Sequence, residues 1–309
     1  MKKVFIDGSA GTTGLRIYER LSARDDVKIL TLSEENRKDV SARKQMLNDA
    51  DVAFLCLPDD AAREAVGLVE NPETVIIDAS TAHRTLPDWA YGFPELSSVH
   101  EEKILSSKRI ANPGCHASGF IALVYPLIEA GILDKQALLS CHSITGYSGG
   151  GKKMIAEYEE ETKSVLLGAP RQYAIGQQHK HLKEMQAISG IKNAPVFSPI
   201  VADFYSGMTV TVPLFKSQLK KGGIEQIKEL YRAKYNGEIV QYKEAVDESG
   251  FVSGAALSGK DSMWISVAGN EERMILLACY DNLGKGASGA AIQSMNMAIG
   301  AEKTKGLVL

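Results

Sequence analysis

From the N-terminus to about residue 110, short apolar runs alternate with stretches whose apolar residues recur every three or four positions. Val4–Ile6, Val27–Leu32, Val52–Leu57 and Val75–Asp78 read as strands. Leu15–Ala23, Ala42–Asp49 and Ala61–Val69 read as helices, the first with Leu15, Ile17, Tyr18 and Leu21 on one side. Near-continuous apolar strands separated by helices indicate βαβ units, which place parallel strands in a sheet covered on both faces. Asn112-Pro113-Gly114 ends this pattern. A long apolar helix, Ala117 to Ala130, follows, with Gly131 as its C-terminal cap.

The rhythm then changes. Leu138–Ile144, Pro195–Ala202, Met208–Leu214, Met263–Val267 and Met274–Cys279 read as strands of a mixed or antiparallel sheet. Helices are expected at Lys152–Glu161, His181–Ile188 and Ile224–Tyr235. Strands and helices in this order indicate a second, α+β domain. The last periodic segment, Ala287–Ala298, is small-residue-rich and helical.

Composition narrows the function classes. The 309 residues fit two domains, and 44% hydrophobic with 24% charged residues is an ordinary globular balance. A net charge of −3 argues against a general nucleic-acid binder. No segment approaches the ~20 apolar residues of a membrane span. The run Val4–Ile6 is too short for a signal-peptide core, so a cytoplasmic protein with no membrane partner is expected. Cys56, Cys115, Cys141 and Cys279 show neither CxxC pairing nor zinc spacing, and no metal is expected. Cys56, Cys141 and Cys279 lie in apolar runs and read as buried strand thiols.

Two places carry chemistry. Gly8-Ser9-Ala10-Gly11-Thr12-Thr13-Gly14 joins the first strand to the first helix. Its G-x-x-G-x-x-G spacing is a variant of the dinucleotide-binding turn: glycines at 8, 11 and 14 let backbone approach a pyrophosphate, and the helix start at Thr12 and Thr13 offers N–H groups. No acidic residue closes the second strand, where one would bind a ribose 2′-hydroxyl; Ser33, Arg37 and Lys38 instead suit the 2′-phosphate of NADP, with Glu34 and Glu35 arguing the other way. The second place is Cys115, where a Pro-Gly turn meets the long helix. Free N–H groups and the dipole at a helix start favour a thiolate and can hold an oxyanion. A thiolate nucleophile often needs an imidazole partner. Of the six histidines, His116 adjoins Cys115 but points elsewhere, His83, His100 and His142 read as local hydrogen-bonders, and His179-Lys180-His181 is the one cluster, facing one way if it lies on a strand. Glu184 follows closely.

In order, Gly8-x-x-Gly11-x-x-Gly14, Asp78-Ala79-Ser80-Thr81-Ala82-His83-Arg84, Tyr91-Gly92-Phe93-Pro94-Glu95-Leu96, Asn112-Pro113-Gly114-Cys115, His179-Lys180-His181-x-x-Glu184 and Asp281-Asn282-Leu283-Gly284-Lys285-Gly286-Ala287 run through the chain. This set resembles the short form of the N-acetyl-gamma-glutamyl-phosphate reductases of arginine biosynthesis. The Pro-Gly-Cys and Asp-Asn-Leu-x-Lys-Gly-Ala pieces also resemble aspartate-semialdehyde dehydrogenases. The resemblance implies an α/β fold, with a Rossmann-type NADP-binding domain over 1–114 joined by the C-terminal helix of 284–309, and an α+β dehydrogenase-type catalytic and oligomerisation domain over 115–283. It implies Cys115 as nucleophile, His179 as acid–base, Glu184 orienting it, and Asn282 near the nicotinamide. The implied substrate is a small acyl phosphate, reduced by NADPH through a Cys115 thioester, in a homo-oligomer (dimer or tetramer). Its phosphate and carboxylate need anion sites, and Ser80, Arg84 and, after the Gly149–Gly151 run, Lys152 are the candidates. Competing readings keep the chemistry on aspartyl or aminoadipyl phosphate, or make the chain a non-catalytic NADP-binding sensor or a Cys–His hydrolase. A sensor would not need Cys115 and His179 together, and a hydrolase would not need the glycine-rich turn.

Overall fold

The computed structural model describes all 309 residues, and contacts divide the chain into two compact units. The first comprises Met1–Pro113 and Ala287–Leu307; the second comprises Gly114–Gly286 with Val308–Leu309. The cuts fall one residue before the expected boundary at 114 and three residues after that at 283.

The first unit holds six parallel strands: β1 (Lys2–Asp7), β2 (Val27–Leu30), β3 (Val52–Leu55), β4 (Val75–Asp78), β5 (Ala90–Tyr91) and β6 (Arg109–Ala111), in the order β2-β1-β3-β4-β6-β5. Helices α1 (Thr12–Ser22), α2 (Val40–Asp49), α3 (Asp59–Gly67) and α4 (Ser98–Ser106) connect them. β1 and β3 are neighbours on which connections leave to opposite sides, the switch point where open α/β sheets bind ligands. One core packs Val4, Ile6, Phe54, Ile77 and Ile110 of the sheet against Ile17 and Leu21. A second packs Phe5, Ala53, Leu55 and Ile76 against Leu47, Ala62 and Ala65. The face of α1 differs from the sequence reading. Gly14, Ile17 and Leu21 are buried, while Leu15 and Tyr18 are 47% and 39% exposed. Close seating of Gly14 on the turn rotates the helix so that these two face solvent.

The second unit opens with α5 (Cys115–Glu129), then β7 (Ser140–Gly146), α6 (Gly151–Glu159), β8 (Arg171–Gln172), α7 (His181–Ser189), β9 (Val196–Ala202), β10 (Met208–Phe215), α8 (Ile224–Lys234), β11 (Val240–Tyr242), β12 (Met263–Gly269) and β13 (Arg273–Tyr280). Its mixed seven-stranded sheet has the order β11-β12-β13-β10-β7-β9-β8. A helix apolar on all sides is a buried one. Accordingly α5 lies against β10 and β13, flanked by α7 and α8. From α8, Tyr231 donates to the Leu123 carbonyl, and Tyr235, which caps the same helix, donates to that of Ala122 at 2.6 Å. The final helix, α9 (Gly289–Ala298), puts Ala291, Ile292 and Met295 into the core of the first unit. No helix is long and apolar enough to cross a membrane.

Candidate active site

In the first unit, the glycine-rich turn is shaped by close backbone approach. Gly8 has φ +88°, and a Cβ there would sit 2.3 Å from the Cys56 carbonyl oxygen at the end of β3. A Cβ on Gly14 would sit 2.5 Å from the Gly8 carbonyl oxygen. Gly11 is the N-cap of α1 and makes no side-chain cap, so the N–H groups beginning at Thr12 and Thr13 form the anion-binding start of a helix. Beside this turn lies a cavity of about 380 Å³ lined by Gly8, Ser9, Thr31, Glu34, Arg37 and Lys38, among others. Arg37 pairs with Glu34 at 3.0 Å on the exposed rim. Ser33 is exposed and does not line the cavity. Asp7, just before the turn, is buried and accepts from Arg43 Nε and Nη2 at 3.1 and 2.9 Å. Burial raises the Asp7 carboxyl and Arg43 opposes that rise. A turn closed to a Cβ at Gly8 and Gly14, a helix start and cations at the cavity rim fit a phosphorylated dinucleotide.

The candidate substrate residues of this unit are engaged within the 78–84 loop. Ser80 Oγ donates to Asp78 at 2.7 Å, and His83 Nδ1 meets the same carboxylate at 2.6 Å while its ring stacks on Trp89. Arg84 is 8% exposed and donates to the carbonyls of Asn112 and Ala79, both at 2.9 Å. Its guanidinium therefore ties this loop to the segment leading into Cys115.

In the second unit, Cys115 is the first residue of α5, after a Gly114 N-cap that has no side chain to cap with. The cap comes from α7: Glu184, 2% exposed, accepts the Gly114 N–H at 2.8 Å. On the other flank, a Cβ on Gly286 would be 3.0 Å from the Cys115 Cβ. The other thiols differ. Cys141 and Cys279 are buried in strands, and burial raises both, Cys279 to about 11. Cys56 falls just beyond β3 and is only partly buried by surface; desolvation with nearby Asp78 and Asp7 still pushes it to about 12.

The histidines are arranged differently from the sequence reading. The 179–181 pair is not on a strand: His179 lies in irregular chain just before α7 and His181 begins that helix, so the two do not project alike. The Cys115 sulfur and one ring nitrogen each of His116 and His181 all lie within 4.8 Å of one another. His179 stands next to His181, its Nδ1 accepting the His181 N–H at 3.2 Å. His116, set aside on sequence grounds, is thus at the site. Its nitrogens meet Ser143 Oγ and Tyr173 Oη, each at 2.7 Å. Burial, with a smaller push from His179, lowers it to about 3. Desolvation and Lys180 lower His179. Sulfur and imidazoles at this spacing are zinc-type donors, but both His116 nitrogens are already committed to hydroxyls.

Asn282 is 1% exposed; its Oδ1 accepts the Gly207 N–H at 2.8 Å and its Nδ2 donates to Ser148 Oγ at 3.0 Å. It pins the Tyr147–Gly150 turn, after which Lys152 stands exposed on the first turn of α6.

A glycine-cradled dinucleotide turn on a parallel sheet, and a helix-start cysteine with imidazoles on a mixed sheet, define a dehydrogenase of the semialdehyde type. Family models agree: residues 3–104 match the semialdehyde dehydrogenase NAD binding domain and residues 115–282 its dimerisation domain. The chain is similar to aspartate semialdehyde dehydrogenase II of Vibrio cholerae, with TM-score 0.72 and 19% identity over 97% of this chain and 98% of that one. Nearer in sequence are the N-acetyl-gamma-glutamyl-phosphate reductase 2 of a Nostoc strain, 42% identical over 99% of both chains, and the N-acetyl-gamma-glutamyl-phosphate reductase of Brucella ovis, 44% identical over 96% of this chain and 99% of that one. The chain belongs to the N-acetyl-gamma-glutamyl-phosphate reductase family.

Proposed function

We propose that the chain reduces N-acetyl-glutamyl 5-phosphate to N-acetyl-glutamate 5-semialdehyde and phosphate with NADPH, a step of arginine biosynthesis. The observation that carries this reading is Cys115 at the start of a buried helix with a His181 nitrogen within 4.8 Å, in a chain of this family.

The Cys115 thiol gives its proton to His181, and the thiolate attacks the acyl carbon. The bond to the phosphate oxygen breaks, phosphate leaves with its electron pair, and a thioester remains on Sγ. NADPH, when bound, would supply the hydride for reduction at this carbon. The first-turn N–H groups and dipole of α5 stabilise the oxyanion on the Cys115 adduct. Collapse of that adduct breaks the C–S bond, the aldehyde leaves, and His181 returns the proton. We give this role to His181 rather than His179 because His181 belongs to the group around the sulfur. Glu184 acts on the same turn by holding the Gly114 N–H. Gly8, Gly11, Gly14, Thr12 and Thr13 would hold the pyrophosphate, with Arg37 and Lys38 at the 2′-phosphate. Lys152 remains the exposed cation for a substrate anion.

A homo-oligomer, dimer or tetramer, is supported by the face of the large sheet opposite α5. The pairing puts Ile200, Ile144, Thr211, Pro213 and Ile275 on that face, and Ile144 and Ile275 are 40% and 41% exposed. None of the four cysteines forms a disulfide, which fits the cytoplasm.

The test is a spectrophotometric assay in the oxidative direction with NADP and phosphate. N-acetylglutamate semialdehyde should react far faster than aspartate semialdehyde or an aminoadipate-derived aldehyde, and only with phosphate present. Cys115→Ser should fold and abolish turnover. A clear preference for the aspartate compound, or an active Cys115→Ser, overturns the reading.

A further inference from the structure

The first turn of α5 is bounded by Tyr280, the last residue of β13. Its hydroxyl accepts the Gly119 N–H at 3.0 Å and donates to the Cys115 carbonyl at 2.5 Å. These two groups are the donor and acceptor that an α-helix joins from residue i+4 to residue i. The phenol is therefore inserted beside the backbone hydrogen bond that starts at Cys115, a place where side chains alter helix geometry. Room for it depends on glycine. A Cβ on Gly119 would lie 2.7 Å from the Tyr280 hydroxyl and 2.7 Å from Val210 Cγ2. Burial holds the Tyr280 hydroxyl far above the ordinary range, so it stays a donor at any working pH.

We propose that Tyr280 is a positioning residue for Cys115. The Cys115 carbonyl shares a rigid peptide plane with the His116 N–H. Fixing the carbonyl fixes the direction of that N–H, which points back toward the start of the helix, where the thiol and the oxyanion of its adduct sit. Tyr280 touches no reacting atom and acts through the backbone of the nucleophile. The assignment rests on Cys115 being that nucleophile.

Tyr280→Phe tests it. The change removes one oxygen and leaves Gly119 N–H and Cys115 C=O facing each other, so folding is expected. Turnover should fall about tenfold with KM for the acyl phosphate within about twofold, a loss confined to the reacting state. Alkylation of Cys115 by iodoacetamide, located by peptide mass, should slow several-fold. If the variant does not fold, Gly119→Ala combined with Val210→Ala, which makes room for the new methyl on the Val210 side, still displaces the hydroxyl and should give the same two effects. Unchanged turnover and alkylation, or a loss confined to KM or to melting temperature, overturns the proposal. The alkylation rate follows the thiol whether or not it is the nucleophile, and Cys115→Ser turnover tests that role separately.

Discussion

Acid should unfold this protein partly through His116. Its imidazole is held at about 3 by burial, whereas an unfolded chain leaves it near 6.5. Between these values the unfolded state binds the proton and the folded state does not. The stabilisation is therefore complete above the unfolded value and is lost as pH falls toward the folded one. At about 1.4 kcal/mol per unit, moving from roughly pH 7.5 to pH 5 should cost about 2 kcal/mol through this one group. Other groups titrate over the same range, so the measurement is a difference. Urea unfolding of the wild type and of His116→Gln, followed by tryptophan fluorescence at both pH values, isolates the term. Glutamine can still hydrogen-bond to the Ser143 or Tyr173 hydroxyl but cannot take up the proton. His116→Gln should be less stable at neutral pH, and its loss on acidification should be smaller than that of the wild type by about 2 kcal/mol. Equal losses in the two proteins would show that His116 is not the buried neutral group described.

Three further outcomes are expected. His181→Asn should lower turnover by roughly 10²–10⁴ with folding intact, and His179→Asn by less; steady-state assays of the two side by side check the assignment, and the reverse order would return the proton to His179. Arg37→Ala and Lys38→Ala should raise KM for NADPH more than for NADH, because charge-assisted contacts contribute about 1.5–3 kcal/mol; equal losses would remove these residues from the 2′-phosphate. Gly286→Ala puts a methyl 3.0 Å from the Cys115 Cβ, so it should cut turnover while leaving NADPH binding, read by fluorescence titration, unchanged.

Most of the fold could be read from period and punctuation. Apolar runs such as Val52–Leu55 and Val75–Asp78 are strands because they are buried on both faces. The strands that escaped are too short to show a period: Ala90–Tyr91, Arg109–Ala111, Arg171–Gln172 and Val240–Tyr242 are strands only because a neighbour pairs with them. Ser98–Ser106 was hidden differently, since it buries only Ile104 and has no apolar stripe. At the candidate site, the helix start at Cys115 was legible from its Pro-Gly turn. The histidines were not, because their placement depends on where α7 begins. A strand would have aligned His179 with His181, but a helix starting at His181 separates them. His116 was set aside because successive helical residues diverge; that rule says nothing of a second element, α7, bringing His181 to the same sulfur. Tyr280 had no local signal, since its role exists only through Gly119.

The Glu184 cap on Gly114 bridges a sequence separation of 70 residues, and the Tyr280 hydroxyl one of 165. Most helices carry their N-cap beside them and can form early; this one borrows both its cap and its brace from segments synthesised much later. Contacts of such range close late in folding because their loop entropy must be overcome first. A nascent or partly unfolded chain therefore carries Cys115 on a helix end that has neither cap nor brace. The geometry proposed to activate that sulfur belongs to the finished tertiary structure, because neither contact exists until the second unit has closed.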